Sequence, residues 1–251
     1  MLQFKKSRDY GCWLNYDLLQ KPDFVQYQGQ FKTVSVQGAG LLSIVIEEEL
    51  TRGIAGLLGQ KPQVQQEEMP HADVQVRLEA SSLPAEGFRI SVSEKQKNLQ
   101  VTITSPDKRG LLYGTFAFLY SLQMGEIKDG FELVDYPSSP LRMINHWDNI
   151  DGSVERGYAG KSIFFKENSL VEDLQRIRDY ARLLASIRIN SIAINNVNVH
   201  QVETQFIGSK ANLASRVASI FQEYGIKLFL SINYASPLEF GMDTCDPLDP
   251  K

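Results

Sequence analysis

The stretch LRMINHWDNIDGSVERGYAGKSIFF, residues 141–165, decides the fold of the second half of the chain. It opens with a short apolar strand at residues 141–146. Roughly 25 polar and aromatic residues then separate that strand from the next helical pattern, as on the long loops that follow the strands of a barrel. A doubly wound open sheet would carry a short glycine-rich turn at this point. The stretch therefore favours a (β/α)8 barrel over an open sheet.

Strands and helices alternate in the remainder of the sequence. Apolar residues spaced three or four apart predict helices over 174–184 and 213–224, and apolar runs predict strands over 192–197 and 228–232. Helices of this length between strands indicate βαβ units and a parallel sheet. Residues 138–251 are therefore predicted to form the start of a TIM barrel, with three of the eight strands.

Polar residues follow each of these predicted strands. HWDN ends the first strand at residues 146–149, NNVN the second at 195–198, and Asn233-Tyr234 the third. Because the carboxyl ends of barrel strands converge on one mouth, we expect these side chains to contribute to one site. The alternative is that the asparagines merely terminate strands and cap loops.

Residues 1–137 predict a separate α+β domain. Helical spacing covers residues 42–58, with Glu47, Glu48 and Glu49 largely on its solvated side, and a second helix follows the capping pair Pro106-Asp107. Three alternating segments predict an antiparallel sheet with one wet face. They lie at residues 74–78, 88–92 and 99–103, and the linker PSSP at 137–140 marks the boundary between the two domains.

Composition narrows the classes of function. The net charge of −4 argues against nucleic acid as a partner, and the apolar runs are far shorter than the ~20 residues that a membrane span needs. The N-terminus has no secretory signal as written, so the compartment is left open. Cys12 and Cys245 are predicted to be free thiols. The turn Gly38-Ala39-Gly40 is interpreted as a strand-to-helix connection and not a phosphate loop.

The chemistry of residues 141–165 indicates a sugar pocket. Hydroxyl groups need dense donors and acceptors, an aromatic ring covers the apolar face of a pyranose, and an arginine can bind a carboxylate through two parallel hydrogen bonds. A metal centre is not expected, because His71, His146 and His200 have no paired spacing. No serine nucleophile elbow is present in the sequence either.

Three motifs carry a family resemblance: DKRGLLYGTFAFLYSLQ at residues 107–123, HWDN-x-DG-x-x-ERGYAG at 146–160, and NSIAINNVNV at 190–199. With them the chain closely resembles the α-glucuronidases of glycoside hydrolase family 67 over nearly its whole length. The resemblance implies a domain similar to the one that precedes the barrel in β-hexosaminidases, then a (β/α)8 catalytic barrel and a C-terminal helical domain. No metal or organic cofactor is implied.

The implied reaction is hydrolysis, with inversion, of the α-1,2 bond that links (4-O-methyl)glucuronic acid to xylo-oligosaccharides in xylan breakdown. The partner would be a glucuronic-acid-decorated xylo-oligosaccharide, and the full-length enzyme could form a homodimer. Matched by motif, Trp147 would form part of the pocket wall and Val197 would abut the 4-O-methyl group. Glu155 and Arg156 would line or support the same pocket, or Arg156 would form a structural ion pair within its loop.

Inversion requires a carboxylic acid and a carboxylate base about 6.5–9.5 Å apart. In the resembling family these come from later barrel strands, and Asp148, Asp151 and Glu155 do not match them. From Leu141 to Lys251 there are 111 residues, against roughly 250 in a typical barrel. We therefore expect a truncated portion that is inactive alone, with both catalytic carboxylates beyond Lys251. The alternatives are a non-catalytic carbohydrate-binding or partner-completing module and, on the first domain alone, a β-hexosaminidase relative.

Overall fold

The computed structural model describes residues 8–66, 69–194, 201–232 and 236–242. The chain divides into two compact units, Met1–Ser138 and Ser139–Lys251. The division falls inside the PSSP segment, where two prolines restrict the backbone to extended conformations and disfavour a helix. In the described part of the chain, no helix combines the length and the apolar character needed to cross a bilayer.

The first unit is built on a six-stranded mixed sheet. Its strands are β1 (Thr33–Val36), β2 (Gln63–Gln65), β3 (Val74–Leu78), β4 (Phe88–Lys95), β5 (Asn98–Ser105) and β6 (Glu132–Asp135). They lie in the order β2-β1-β3-β5-β4-β6. The first four strands in this order, β2, β1, β3 and β5, are parallel to one another. Strand β4 is antiparallel to both of its neighbours, β5 and β6.

The prediction of an antiparallel sheet is therefore wrong for β3. Val76 pairs with Ile103 in a parallel register, whereas only the β4–β5 hairpin and β6 are antiparallel. Alternation of apolar and polar residues reports which face of a strand is buried and carries no information on strand direction. The hairpin itself turns through Gln96 and Lys97, both with positive φ, as a two-residue turn requires.

The described part of this unit has a 3-10 helix at Arg8–Leu14 and three α-helices, α1 (Asp23–Tyr27), α2 (Leu41–Leu58) and α3 (Lys108–Gln123). The Gly38–Gly40 segment is the predicted strand-to-helix turn, and α2 ends at Gly59, whose φ is 68°. The Asp107 side chain caps α3 by accepting hydrogen bonds from the N–H groups of Arg109 and Gly110. α2 and α3 pack against each other and against the sheet.

Glu49 does not lie on the solvated face of α2 as predicted. It is buried, and its carboxylate accepts a 2.6 Å hydrogen bond from the Tyr16 hydroxyl. Glu47 is half-buried and only Glu48 is exposed. Three consecutive helical residues span about 200° of the circumference, so a run of three glutamates turns one of them inward.

Among its described residues, the second unit has a sheet of three parallel strands in chain order. Strands β7 (Met143–Asn145), β10 (Ser191–Ile194) and β11 (Lys227–Leu230) lie in the order β7-β10-β11, joined through α4 (Gln175–Ser186) and α5 (Ala211–Glu223). Ile192 pairs with Ile144 on one side and with Leu228 on the other. The predicted parallel βαβ units are confirmed. A hairpin, β8 (Phe165–Lys166) with β9 (Ser169–Leu170), and 3-10 helices at Gln201–Ile207 and Ser236–Phe240 were not predicted.

Candidate functional site

The loop after β7 folds back on itself directly beyond the strand. An isolated antiparallel bridge pairs Asp148 with Val154, and the Glu155 N–H donates a 3.0 Å hydrogen bond to the Trp147 carbonyl. The Asn149 N–H donates to the Ser153 carbonyl at 2.9 Å. These bonds make residues 147–155 a compact turn attached to the carboxyl end of the strand.

Asn149 holds the two arms of this turn together from inside. Its side chain is fully buried, and its amide nitrogen donates 2.8 Å hydrogen bonds to the Ser153 hydroxyl and to the Glu155 carbonyl. Asp151 closes the tip, since its Oδ1 accepts from both the N–H and the hydroxyl of Ser153. These polar residues of the motif therefore hold the loop in shape through hydrogen bonds within the loop itself.

Of the predicted site residues, Trp147 and Glu155 lie side by side. The indole is 41% exposed, and Glu155 is half-buried with a left-handed φ of 58°. Such a φ costs a non-glycine residue roughly 1–2 kcal/mol and is often found at functional positions. Arg156 follows and is exposed. Val197 lies outside the described residues, and the sugar-binding roles of all four remain predictions.

Several other predictions also fall on residues outside the described part of the chain. They concern NNVN at residues 195–198, Asn233-Tyr234, His200 and Cys245. Cys12 is described, and its thiol is free and exposed. Among the residues that the structure describes, no three His, Cys, Asp or Glu side chains are grouped so as to hold a metal ion.

Behind Trp147, His146 connects two polar side chains. Its Nε2 lies 3.0 Å from the Tyr180 hydroxyl on α4, and its Nδ1 lies 3.4 Å from Oδ2 of Asp148, which is 4% exposed. Burial, and then the Asp148 charge, raise the pKa of Tyr180 to about 12. The phenol is therefore protonated at any physiological pH.

The sequence did not predict that Glu203, on the loop after β10, supports the turn at residues 147–155. Glu203, in the 3-10 helix Gln201–Ile207, is buried, and its Oε1 accepts a 2.8 Å hydrogen bond from the Ile150 N–H. Phe206 of the same helix packs on Phe165 with ring centroids 5.6 Å apart. No local pattern separates Glu203 from an ordinary surface glutamate.

An open cavity of about 530 Å³ lies beside the turn. Gly152, Gly157 and Gly160 form part of its wall, and Lys161 and Phe165 also line it. Phe165 belongs to the β8–β9 hairpin, whose turn at Glu167-Asn168 has positive φ at both residues. That two-residue turn, flanked by Phe165 and Leu170, was the signal that could have predicted the hairpin.

Two family models match the chain along nearly all of its length. Residues 12–118 match the N-terminus of glycosyl hydrolase family 67, and residues 121–251 match the middle domain of the same family. The chain belongs to glycosyl hydrolase family 67. The resemblance carried by the HWDN and ERGYAG motifs is thereby confirmed.

Curated relatives of this family 67 chain include alpha-glucuronidases A of filamentous fungi. This chain is 38% identical over 234 residues to the probable alpha-glucuronidase A of Aspergillus terreus. The alignment covers 86% of this chain and 26% of the relative. The chain is 39% identical over 222 residues to the alpha-glucuronidase A of Emericella nidulans, covering 80% of this chain and 25% of the relative. The chain thus spans about a quarter of the length of these relatives.

Solved structures share the fold at low sequence identity. A family GH115 4-O-methyl-alpha-glucuronidase with specificity for decorated arabinogalactans aligns with a TM-score of 0.57 and 15% identity, covering 81% of this chain and 29% of that one. The Streptomyces plicatus N-acetyl-beta-hexosaminidase aligns with a TM-score of 0.53 and 14% identity, covering 80% and 41%. At these identities the likeness shows the fold alone, and the expected similarity to hexosaminidases holds at that level.

Proposed function

We propose that this chain is the N-terminal domain and the first three βα units of the catalytic barrel of an α-glucuronidase. The whole enzyme would hydrolyse, with inversion, the α-1,2 bond between (4-O-methyl)glucuronic acid and a xylo-oligosaccharide. The observation that carries the proposal is the loop of residues 146–160, the HWDN–ERGYAG loop. In a family 67 chain, it presents Trp147 and Glu155 at the carboxyl end of the first of three parallel strands.

The strand order supports a barrel. β7, β10 and β11 follow each other in space as they do in sequence, and each is parallel to its neighbour. A barrel adds every strand beside the previous one, whereas a doubly wound sheet reverses direction at a switch point. Catalytic barrels place their sites on the loops after the strands, which is where the HWDN–ERGYAG loop lies.

The side chains of the loop suit a uronic acid. An exposed indole at Trp147 can cover the apolar face of the pyranose ring, and the exposed guanidinium of Arg156 can reach a carboxylate. Glu155 offers an acceptor for sugar hydroxyls from the position adjacent to Trp147. Val197 is proposed, from its motif, to contact the 4-O-methyl group.

The catalytic acid and base are proposed to lie outside these 251 residues. Inverting hydrolysis needs one carboxylic acid to protonate the leaving oxygen and one carboxylate to activate water. Asp148 is buried against His146, and Asp151 accepts two hydrogen bonds from Ser153, so both carboxylates are engaged in holding the loop. We therefore assign neither Asp148 nor Asp151 as the catalytic acid or the catalytic base.

Ligand titration of the purified chain tests whether Trp147, Glu155 and Arg156 belong to a site for glucuronic acid. We expect saturable binding of D-glucuronic acid by calorimetry or ligand-observed NMR, and no release of 4-O-methylglucuronic acid from aldouronic acids. Trp147→Ala should weaken binding roughly 3- to 10-fold through loss of ring stacking. Tyr120→Ala, a matched exposed aromatic in the first unit, should leave it unchanged.

The outcomes separate the alternatives. Turnover of aldouronic acids by this chain alone would overturn the assignment of the catalytic carboxylates to residues outside it. Preference for N-acetylglucosamine over glucuronic acid would favour a β-hexosaminidase relative. Absence of binding to glucuronic acid at millimolar concentration would count against any sugar-binding role of the loop in isolation.

A further inference from the structure

The side chains of His146 and Asp148 lie on one side of the backbone segment 146–148, which carries Trp147 between them. Residues i and i+2 of an extended segment share a face, and the 3.4 Å approach of the His146 and Asp148 side chains places both on the same side. Trp147, between them, therefore projects to the opposite side, where its indole is 41% exposed. Any force that fixes the His146–Asp148 pair also fixes the direction of the indole.

Backbone hydrogen bonds hold both ends of this three-residue segment. The His146 N–H donates a 2.8 Å hydrogen bond to the Ala193 carbonyl on β10, which continues the pairing of β7. The Trp147 carbonyl accepts from Glu155, and Asp148 is bridged to Val154. The segment is thus a strand extension whose outward residue is aromatic and whose two inward residues are polar.

Aromatic rings fix the orientation of the imidazole. Phe164 meets it edge to face at 5.0 Å and 88°, and Tyr180 meets it at 5.4 Å and 85°. Tyr180 in turn packs on Phe221 of α5. Rings packed at right angles leave the imidazole little freedom to rotate, so its two nitrogens face fixed partners.

The two partners define which nitrogen carries the proton. The Asp148 carboxylate can only accept a hydrogen bond, so the Nδ1 atom that faces it at 3.4 Å carries the hydrogen. In the neutral imidazole Nε2 is then the acceptor, and the Tyr180 hydroxyl, 3.0 Å away, can donate to it. Asp148 and Tyr180 are the titratable groups in contact with the imidazole among the described residues, and Phe164 contributes only an apolar ring.

We propose that His146 is a positioning residue, held as the Nδ1–H tautomer between Tyr180 and Asp148, which presents the Trp147 indole in a preformed orientation for the sugar. The benefit to binding rests on the proposed function, whereas the tautomer and the rigidity of Trp147 do not. The imidazole itself lies behind the loop and has no contact with substrate in this role. It acts through the backbone of its neighbour, as residues that support a binding site commonly do.

The tautomer is tested first, in the unaltered chain. The sequence contains three histidines, so nitrogen-15 NMR of the imidazoles, assigned with His146→Asn, identifies the signals of His146. In the neutral imidazole we expect a protonated Nδ1 and an unprotonated Nε2. In Asp148→Asn, whose side-chain amide can donate to Nδ1, we expect the Nε2–H form to become populated. An Nε2–H tautomer in the unaltered chain would overturn the proposal.

The rigidity of Trp147 is tested by fluorescence. The chain has two tryptophans, so Trp13→Phe leaves an emission that reports on Trp147 alone. In that background, Tyr180→Phe and His146→Leu should lower the emission anisotropy and increase acrylamide quenching. His146→Asn, which keeps a donor towards Asp148, should give an intermediate value. The emission of Trp13, followed in a Trp147→Phe background, should stay unchanged in all three variants.

Glucuronic acid then connects positioning with binding. Tyr180→Phe should weaken binding about 3- to 10-fold, the effect expected for one lost hydrogen bond. Unchanged anisotropy of Trp147 in a folded Tyr180→Phe variant would overturn the proposal even if the sugar binds. A rigid indole with the predicted tautomer but no sugar binding would instead contradict the proposed function and leave the positioning role supported.

Discussion

The backbone N–H of Ile150 donates a 2.8 Å hydrogen bond to the Oε1 atom of Glu203, and both residues are buried. The bond joins the turn after β7 to the 3-10 helix Gln201–Ile207 beyond β10, 53 residues apart in sequence. A buried N–H must find an acceptor, and here the neighbouring loop supplies one. The loop that carries Trp147 is therefore held by the adjacent βα unit as well as by its own hydrogen bonds.

Replacement of Glu203 tests this brace. Glu203→Ala leaves the Ile150 N–H buried without this acceptor and should lower the free energy of unfolding of the second unit by about 1–3 kcal/mol. Glu203→Gln retains a carbonyl oxygen at the same position and should cost clearly less. Urea unfolding followed by Trp147 fluorescence in a Trp13→Phe background measures both. Equal stability of the alanine and glutamine variants would contradict the brace.

Gly152 and Gly157 form a matched pair for testing the tightness of the turn. Both have a left-handed φ, 99° and 93°, so alanine at either position carries a similar backbone cost of roughly 1–2 kcal/mol. A Cβ at Gly152 would also lie 3.0 Å from the Phe165 carbonyl oxygen, whereas at Gly157 nothing lies within 4 Å. Gly152→Ala should therefore destabilise the second unit more than Gly157→Ala in the same unfolding assay. The reverse order would show that the contact with Phe165 does not matter.

The pKa of Tyr180 predicts a dependence on alkaline pH. Its pKa is raised from 10.0 to about 12, so the folded state favours the neutral phenol. The resulting stabilisation is fully present below pH 10 and is lost as the pH rises towards about 12. The difference in unfolding free energy between the unaltered chain and Tyr180→Phe should therefore be constant up to pH 10 and then decline.

Tyr27 provides the control for this titration. Burial raises its pKa to about 12 as well, but it belongs to the first unit, and the charges that add to the shift are those of Asp23 and Glu126. Asp148→Asn should lower the pKa of Tyr180, because the nearby negative charge is removed, and should leave that of Tyr27 unchanged. Ultraviolet titration of the phenolates in Tyr27→Phe and Tyr180→Phe distinguishes the two groups. Identical shifts at both tyrosines would contradict a local effect of Asp148.

Gly53 allows α2 and α3 to approach closely. A Cβ at this position would lie 2.5 Å from Cδ2 of Leu119, so Gly53→Ala should destabilise the first unit by about 1–3 kcal/mol through overpacking, despite the better helix propensity of alanine. Adding Leu119→Ala should remove the conflict, although it leaves its own cavity. Thermal unfolding of the two single variants and the double variant tests the coupling. Strictly additive effects would contradict direct contact.

Helix positions could be predicted from sequence because the apolar spacing is a local property of the chain. Residues 42–58 and the segment capped by Asp107 appear as α2 and α3, with ends close to the predicted ones. The parallel arrangement of β7, β10 and β11 followed from the helices between them. These features depend on residues near each other in sequence, and the patterns that report them survive in a single sequence.

Features that depend on distant partners could not be predicted. The direction of β3 is set by its pairing with β5, and the burial of Glu49 depends on the hydroxyl of Tyr16, 33 residues away. The roles of Tyr180 and Glu203 behind the turn are of the same kind, since each contacts the loop only after the βα units pack. Sequence reasoning identified the loop, and the structure shows what holds it in shape.

The most direct test of the central claim is the activity of a chimera. The 234 residues of the Aspergillus terreus relative that align with this chain are replaced by their counterparts from this chain, and release of 4-O-methylglucuronic acid from aldouronic acids is measured. We predict that the folded chimera is active, that Trp147→Ala within it lowers turnover, and that Tyr120→Ala does not. A chimera with a cooperative thermal transition but no hydrolysis, under conditions where the parent enzyme is active, would contradict the account.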